Sequence, residues 1–185
     1  KKSLPELPDE KKDRFINSYE ISEYDAEVLT SDRRISEFFE EVVKNRSPKL
    51  SVSWVASELF AVLNKLNLNI ENSPVSPSQL GELIDEIENG TISNRAAKEV
   101  FEEMCNTEKS VKDIIDEKGL VQISDTSEIE IFIDKVLEDN PENVEKYKNG
   151  RTKLLGFFIG EVMKATKGKA NPGLLNQIVK KKLDN

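Results

Sequence analysis

The sequence predicts an all-α protein with a helical domain over residues 1–120, followed by a small, basic helical tail domain over residues 121–185. Residues that begin and end helices recur along the chain, whereas the alternation of apolar and polar residues that marks a strand hardly occurs. The composition is 37 % apolar and 34 % charged, without the extreme bias of a disordered chain. We expect about nine or ten helices.

The middle of the helical domain contains a marked helix start and an expected core residue. Ser47 precedes Pro48, which suits the first turn of a helix, and an apolar-rich run follows over residues 52–66. Trp54 lies among apolar residues in that run, so we expect it in the core. Asparagine and proline break the helical period over residues 67–77 and predict a loop.

Two capping boxes mark the later helices of this domain. Ser76 is followed three residues on by Gln79, and Gly90 ends the helix that they begin. Ser110 with Asp113 repeats the pattern with an acidic residue. In each case the serine hydroxyl can accept a hydrogen bond from a backbone N–H that the helix leaves unpaired.

The boundary of the tail domain is placed at residues 119–125, a short and partly β-branched stretch between two sets of helices. Asp125 with Glu128 begins the first helix beyond it. The remaining helix starts are Asn-Pro pairs and the remaining stops are glycines. These are Asn140-Pro141, Asn171-Pro172, Gly150 and Gly168.

The absence of histidine and the single cysteine exclude several kinds of site. Without an imidazole there is no Ser-His-Asp or Cys-His relay and no histidine-ligated metal. Cys105 can form neither an internal disulfide nor a thiolate zinc cluster, which suits a reducing compartment, and we expect it to be a small, buried or half-buried hydrophobic residue. We expect no catalytic residue and no metal ligand in this chain.

No segment is predicted to span a membrane. The longest nearly unbroken apolar stretch is the seven residues Leu154–Gly160, far short of the roughly 20 that a spanning helix needs. The chain opens on Lys1 rather than Met and shows no secretory signal. We therefore expect it to be a piece of a longer chain.

The charge is distributed very unevenly along the sequence. The net charge is −8 overall, but residues 146–182 contain ten cations and one anion, a net +9, whereas residues 1–145 have a net −16. A basic end on an acidic body indicates a polyanionic partner for that end. The alternative is a lysine-rich helix surface that faces only solvent.

Within the basic end, a cationic strip is predicted along one helix face. On a helix over residues 151–166, five residues at spacings of three and four share this face, and Phe157 borders it. They are Lys153, Gly156, Gly160, Lys164 and Lys167. The opposite face is apolar and suited to a core: Leu154, Leu155, Phe158, Ile159, Val162, Met163 and Ala165. The two glycines would let a bulky partner approach the backbone; close packing against another helix is the alternative explanation.

The strip continues into a turn that precedes the last helix. Gly168 provides the turn, and Lys169 follows it before Asn171-Pro172. Unpaired N–H groups at a helix start favour an anion such as phosphate, and lysines add positive charge. An ordinary connection between two helices is the alternative.

The run from Leu154 to Pro172, LLGFFIGEVMKATKGKANP, resembles the C-terminal signature of the B subunit of the tRNA-dependent amidotransferase. Residues 4–8 (LPELP), 23–30 (EYDAEVLT) and 89–101 (NGTIS followed by AKEVF) resemble the same family in the same order. The resemblance therefore covers essentially the whole chain. Asn94 departs from it, because glycine is common at that position in the family.

The resemblance implies a parent enzyme that uses ATP, magnesium and glutamine-derived ammonia to convert glutamyl-tRNA(Gln) or aspartyl-tRNA(Asn) to the amidated form. In the family, that chemistry belongs to an N-terminal domain preceding the LPELP motif, so ATP and magnesium are not expected in this fragment. The implied partners are tRNA(Gln) or tRNA(Asn) and the A and C subunits, in the bacterial cytoplasm or an organelle matrix. We expect no membrane partner.

From the charge map and the resemblance together, this chain is expected to help position misacylated tRNA for amidation. Contacts would be to phosphates and RNA shape rather than to base edges. The expected RNA-binding residues are Lys146, Lys148, Arg151, Lys153, Gly156, Gly160, Lys164, Lys167, Gly168 and Lys169, with weaker steering from Lys180, Lys181 and Lys182. The alternative is a helical protein–protein interaction module that makes no direct RNA contact.

Overall fold

The structure, a computed structural model, describes residues 6–184, and over this range the fold is all-α, as predicted. Helices α4 and α5 are joined by a π-helical segment into one continuous helix, and a short 3₁₀ turn, Ile70–Asn72, lies in the predicted loop. The helices are α1 Pro8–Tyr19, α2 Glu23–Thr30, α3 Arg33–Val43, α4 Pro48–Val52, the π segment Ser53–Leu59, α5 Phe60–Leu66, α6 Pro77–Glu88, α7 Asn94–Asn106, α8 Val111–Lys118, α9 Thr126–Asp139, α10 Pro141–Lys148, α11 Leu154–Ala165 and α12 Pro172–Asp184. Leu4 and Pro5 of the LPELP motif lie outside the described residues.

The chain forms two compact units. The first comprises the residues up to Asn89 together with Ala97–Ile114, and the second comprises Gly90–Ala96 and the residues from Ile115 onward. The predicted boundary between residues 120 and 121 stays a prediction about where the chain divides into domains. The structure adds that the segment Gly90–Ala96 packs with the basic end of the chain.

The first unit begins with an aromatic cluster. The rings of Phe15, Tyr19 and Phe39 meet pairwise at centroid distances of 5.3 to 5.4 Å. Beside them, Arg14 Nε donates to Glu6 Oε1 at 2.7 Å, and this hydrogen bond lowers the pKa of the Glu6 carboxyl. The starts of α2 and α3, at Ser22 and Asp32, are side-chain caps that the sequence prediction did not use.

Trp54 lies in the π segment and is 3 % exposed, which confirms its expected place in the core. Its indole meets Phe101 of α7 nearly edge-on, with ring centroids 5.6 Å apart. Cys105, also in α7, is half-buried as expected, and burial raises the pKa of its thiol.

Helix α6 packs on α3, and its Gly81 lies against the side chain of Arg46, which follows α3. Gly81 is buried, and a Cβ placed on it would lie 2.5 Å from the Arg46 guanidinium carbon. Arg46 is held there by Asp85, which accepts from Nε at 2.7 Å and from Nη2 at 2.8 Å. Gly81 therefore makes room for a bidentate ion pair.

The helix starts predicted at Ser76, Ser110 and Asn140 are confirmed. Ser76 and Gln79 form the reciprocal box, with N–H to side-chain distances of 3.2 and 2.9 Å, and Ser110 caps α8 through the Asp113 N–H. The Asn140-Pro141 start is also confirmed, because α10 begins at Pro141 with Asn140 as its N-cap residue, although the Asn140 side chain makes no cap hydrogen bond to α10. The Asn140 Nδ2 group instead donates to Val136 O at 2.9 Å and helps to end α9.

In the second unit, helices α9 to α12 enclose a core around Phe158 and Val162, both fully buried. Full burial of a side chain such as Phe158 stabilises the fold by about 1.5–3 kcal/mol. Tyr147 of α10 closes the core, and its hydroxyl donates to Asp184 Oδ1 at 3.1 Å. Burial raises the pKa of Tyr147, and the hydrogen bond and charge of Asp184 raise it further.

Residues 119–125, expected as a seam, are bonded to two other segments of the second unit. The Gln122 N–H donates to Thr91 O at 2.6 Å, and the Ile123 N–H donates to Lys169 O at 2.6 Å. Ile123 and Ala170 form an isolated parallel bridge. These bonds bring together stretches far apart in the sequence.

Candidate nucleic-acid interface

Helix α11 has the apolar face that its sequence predicts, but it is shorter than predicted, and Lys153 and Lys167 of the cationic strip lie just beyond its two ends. Phe158 and Val162 are buried, and Leu154, Leu155, Ile159 and Met163 pack against the same core. Ala165, assigned to the apolar face, is exposed, so that assignment was wrong. It lies at the margin of the face, where the neighbouring helices no longer cover it.

The two glycines of the cationic strip face open space. A Cβ on Gly156 or Gly160 would have no atom within 4 Å beyond its immediate helical surroundings. Close packing of these glycines against another helix is therefore not found among the described residues. Since an interior glycine lowers helix stability by up to about 1 kcal/mol relative to alanine, the chain bears a cost here that its own packing does not explain.

The predicted cations divide into those with an ion-pair partner and those without. Lys146 Nζ lies 3.7 Å from Glu142, Lys164 Nζ lies 2.5 Å from Glu161, and Lys182 Nζ lies 2.5 Å from Asp134. Within residues 6–184 the other predicted cations make no ion pair. These are Lys148, Arg151, Lys153, Lys167, Lys169, Lys180 and Lys181. Lys182 is thus neutralised locally and is a poorer steering group than expected.

The amino end of α11 is more positive than its lysine spacing alone predicts. Lys153 is the N-cap residue, its side chain makes no cap, and the first turn contains no acidic residue. Arg151 lies just before it and is exposed. The positive end of the helix dipole therefore coincides with two cations, which strengthens the attraction for an anion.

The other end of α11 closes in a Schellman turn. The Lys167 N–H donates to Lys164 O at 3.0 Å, and the Gly168 N–H donates to Met163 O at 2.7 Å. Lys167 has φ 53° and Gly168 has φ 77°. The left-handed conformation of a lysine costs about 1–2 kcal/mol, which these bonds offset, and the turn holds Lys167 and Lys169 in fixed places on the backbone.

The start of α12 is not the open anion site that its sequence predicts. Asn171 Oδ1 accepts from the Gly173 N–H at 3.0 Å and from the Leu174 N–H at 3.2 Å. Two of the N–H groups offered to a phosphate are therefore already paired within the chain. The lysines of the turn remain, but the helix start contributes less than predicted.

Lys146 and Lys148 lie on α10 rather than on the strip. Lys148 lines a shallow groove together with Glu138 and Glu145. These carboxylates reduce the local positive potential, so α10 extends the strip only weakly.

Phe157 provides an aromatic surface beside the strip. It is 37 % exposed, and its ring meets that of Phe158 nearly edge-on at 5.4 Å between centroids. The buried Phe158 thereby holds the exposed ring in place. A base could stack on a ring held in this way.

One cation near this surface was missed. Arg95, at the start of α7, lies with its Nη1 atom 3.9 Å from the place that a Gly168 Cβ would occupy. No local pattern in the sequence signals this position, because the proximity depends on the contacts of residues 119–125.

Two other kinds of site are not found in residues 6–184. No helix there is long and apolar enough to cross a membrane. No group of three or more cysteine, aspartate or glutamate side chains in that range could hold a metal ion.

Comparison with known proteins identifies a family that matches most of this chain. The family model described as the GatB domain matches residues 37–183. The chain belongs to the GatB domain family. The resemblance indicated by the sequence motifs is thereby confirmed.

The GatB domain relatives are similar over nearly the entire chain. They are named as the B subunit of aspartyl/glutamyl-tRNA(Asn/Gln) amidotransferase, and this chain is 52 % identical to that of Alkalilimnicola ehrlichii, 54 % to that of Thioalkalivibrio sulfidiphilus and 50 % to that of Wolbachia pipientis. These matches cover 98 to 100 % of this chain, but the chain spans only 38 to 39 % of the length of these relatives.

Proposed function

We propose that this chain is the tRNA-binding part of an amidotransferase B subunit, and that it helps to position Glu-tRNA(Gln) or Asp-tRNA(Asn) for ATP-dependent amidation with glutamine as nitrogen donor. The amidation chemistry itself would belong to the parent enzyme, with the A and C subunits as partners. The names of the relatives support the choice of tRNA as the polyanion.

The observation that carries the proposal is the open backbone of α11 between unpaired cations that flank its two ends. Lys153 lies at one end of the strip and Lys167 at the other, and the space above Gly156 and Gly160 is empty between them. An RNA backbone could thus approach the helix closely while its phosphates meet positive charge at both ends. This arrangement suits recognition of phosphates and shape rather than of base edges.

The number of unpaired cations sets the expected salt dependence. Arg151, Lys153, Lys167 and Lys169 would neutralise about four phosphates, which gives a slope of about −3.6 or steeper in a plot of log affinity against log salt. Raising the salt concentration from 50 to 200 mM should then weaken binding about 150-fold.

The test is filter binding of the chain to tRNA(Gln) and tRNA(Asn) over a salt series. Lys153→Gln and Lys167→Gln should each reduce the slope by about 0.9. Lys164→Gln should have less effect, because Lys164 is already paired with Glu161. Lys65→Gln is the matched control, since Lys65 is an exposed helical lysine of the first unit with no ion-pair partner among the described residues.

Two results would overturn the proposal. One is an absence of salt-dependent tRNA binding, which would favour a helical protein–protein interaction module. The other is binding that Lys153→Gln with Lys167→Gln leaves unchanged in both affinity and slope.

A further inference from the structure

Arg95 belongs to the same face of the second unit as the turn that ends α11. Its Nη1 atom lies 3.9 Å from the place that a Gly168 Cβ would occupy. The connection runs through the backbone, because Gln122 N–H donates to Thr91 O and Ile123 N–H donates to Lys169 O, both at 2.6 Å. Segments 90–96, 119–123 and 167–171 therefore form one hydrogen-bonded layer.

The local structure holds the backbone of Arg95 while leaving its side chain in solvent. Ile92 is 1 % exposed and Ala96 is 9 % exposed, so residues on both sides of Arg95 are anchored. The Ser93 hydroxyl accepts from the Ala96 N–H at 3.1 Å and fixes the first turn of α7. Between these anchors Arg95 is exposed.

Arg95 and the two lysines of the neighbouring turn are not engaged in ion pairs with any described residue. Arg95, Lys167 and Lys169 each lack an ion-pair partner within residues 6–184. The Lys169 ammonium lies above Gly119, 3.6 Å from the place of its Cβ. Cations that make no ion pair within the protein are available to a polyanion.

We propose that Arg95 is a further RNA-contacting residue, which binds one phosphate of the tRNA backbone beside the turn Lys167–Lys169. This inference rests on the proposed tRNA-binding function. The planar guanidinium can donate two parallel hydrogen bonds to one phosphate, whereas each lysine acts as a point charge. Gly168 has no side chain to block access beneath the guanidinium.

The test measures tRNA binding by the full chain over a salt series from 50 mM to 1 M. Arg95→Gln should reduce the slope by about 0.9, so that the affinity lost on substitution is about 15 times greater at 50 mM than at 1 M. Arg95→Lys should retain the slope but bind more weakly, since it keeps the charge and loses the paired donors. Lys98→Gln is the matched control on the same helix, because Lys98 pairs with Glu58 in the first unit at 2.8 Å.

Phosphate ethylation interference gives an independent measurement. Ethylation of one tRNA phosphate should interfere with binding by the unchanged chain and by Lys98→Gln, but not by Arg95→Gln. The same helical circular dichroism in all three proteins establishes that the fold is intact.

The outcomes separate this inference from the function on which it rests. If the unchanged chain does not bind tRNA, the proposed function fails. If it binds, and Lys167→Gln reduces the slope while Arg95→Gln changes neither the slope nor the interference pattern, only the role of Arg95 is refuted. The role of Arg95 is supported if interference at one phosphate is lost with Arg95→Gln and retained with Lys98→Gln.

Discussion

Replacing both glycines of the cationic strip by alanine should make the protein more stable and a poorer RNA binder. Gly160 lies in the middle of the twelve-residue α11, and Gly156 lies in its first turn. The methyl groups of Gly156→Ala and Gly160→Ala would enter open space, so no packing cost opposes the gain in helix propensity.

The gain in stability follows from position in the helix. We expect about 1 kcal/mol from Gly160→Ala and about half of that from Gly156→Ala, where the helix has only begun. The double variant should therefore stabilise α11 by about 1.5 kcal/mol. Amide hydrogen exchange across α11 should slow about tenfold, since about 1.4 kcal/mol corresponds to a factor of ten.

Binding to tRNA should change in the opposite direction. If the RNA backbone contacts the strip, the two added methyl groups should crowd the contact. Such crowding costs about 1–3 kcal/mol, which corresponds to tRNA binding weakened about 5- to 150-fold. Asn64→Ala, at an exposed helical position of the first unit, is the control: it improves helix propensity without touching the strip and should leave affinity unchanged.

The reasoning would be refuted in two separable ways. Faster exchange in α11 would mean that the space above the glycines is filled in solution. Slower exchange with unchanged tRNA affinity would mean that the RNA does not approach this part of the helix.

Three further predictions concern stability. Gly81→Ala should destabilise the first unit by about 1 kcal/mol in urea unfolding followed by tryptophan fluorescence, because displacing Arg46 from its ion pair loses about 2 kcal/mol of charged hydrogen bonding and the alanine returns about 1. Asn171→Ala should destabilise the second unit by about 1 kcal/mol in urea unfolding followed by circular dichroism, since α12 loses its cap; a wild-type midpoint would contradict the assigned cap. The hydrogen bond from Arg14 lowers the pKa of Glu6 in the folded state. The ion pair between them should therefore stabilise the fold fully above the ordinary carboxyl pKa, and this stabilisation should be lost as pH falls through the lowered pKa. Urea midpoints measured between about pH 6 and pH 3 should therefore fall less steeply in Glu6→Gln, and equal slopes would contradict this role of the ion pair.

Local sequence patterns were sufficient to predict most of the helices and the buried face of α11. The Ser76 box and the Asp125 cap depend on bonds within one helical turn, and both form as predicted. The buried face around Phe158 follows from helical periodicity alone. The Asn140-Pro141 pair begins α10 as predicted, but whether the asparagine side chain bonds forwards or backwards along the chain is not decided by the sequence, and here it bonds backwards to Val136.

Interactions between residues far apart in the sequence determined which cations are paired and which lie near one another. The sequence alone determined that the chain is helical, that its positive charge lies near one end and which family it resembles, because these depend on composition, short-range spacing and motif. Tertiary structure decided which cations are neutralised, as Lys182 is by Asp134, and which are gathered, as Arg95 is beside Gly168. Ion pairs and surface potential depend on distances through space, and those distances are set by packing and by backbone bonds such as that between Ile123 and Lys169.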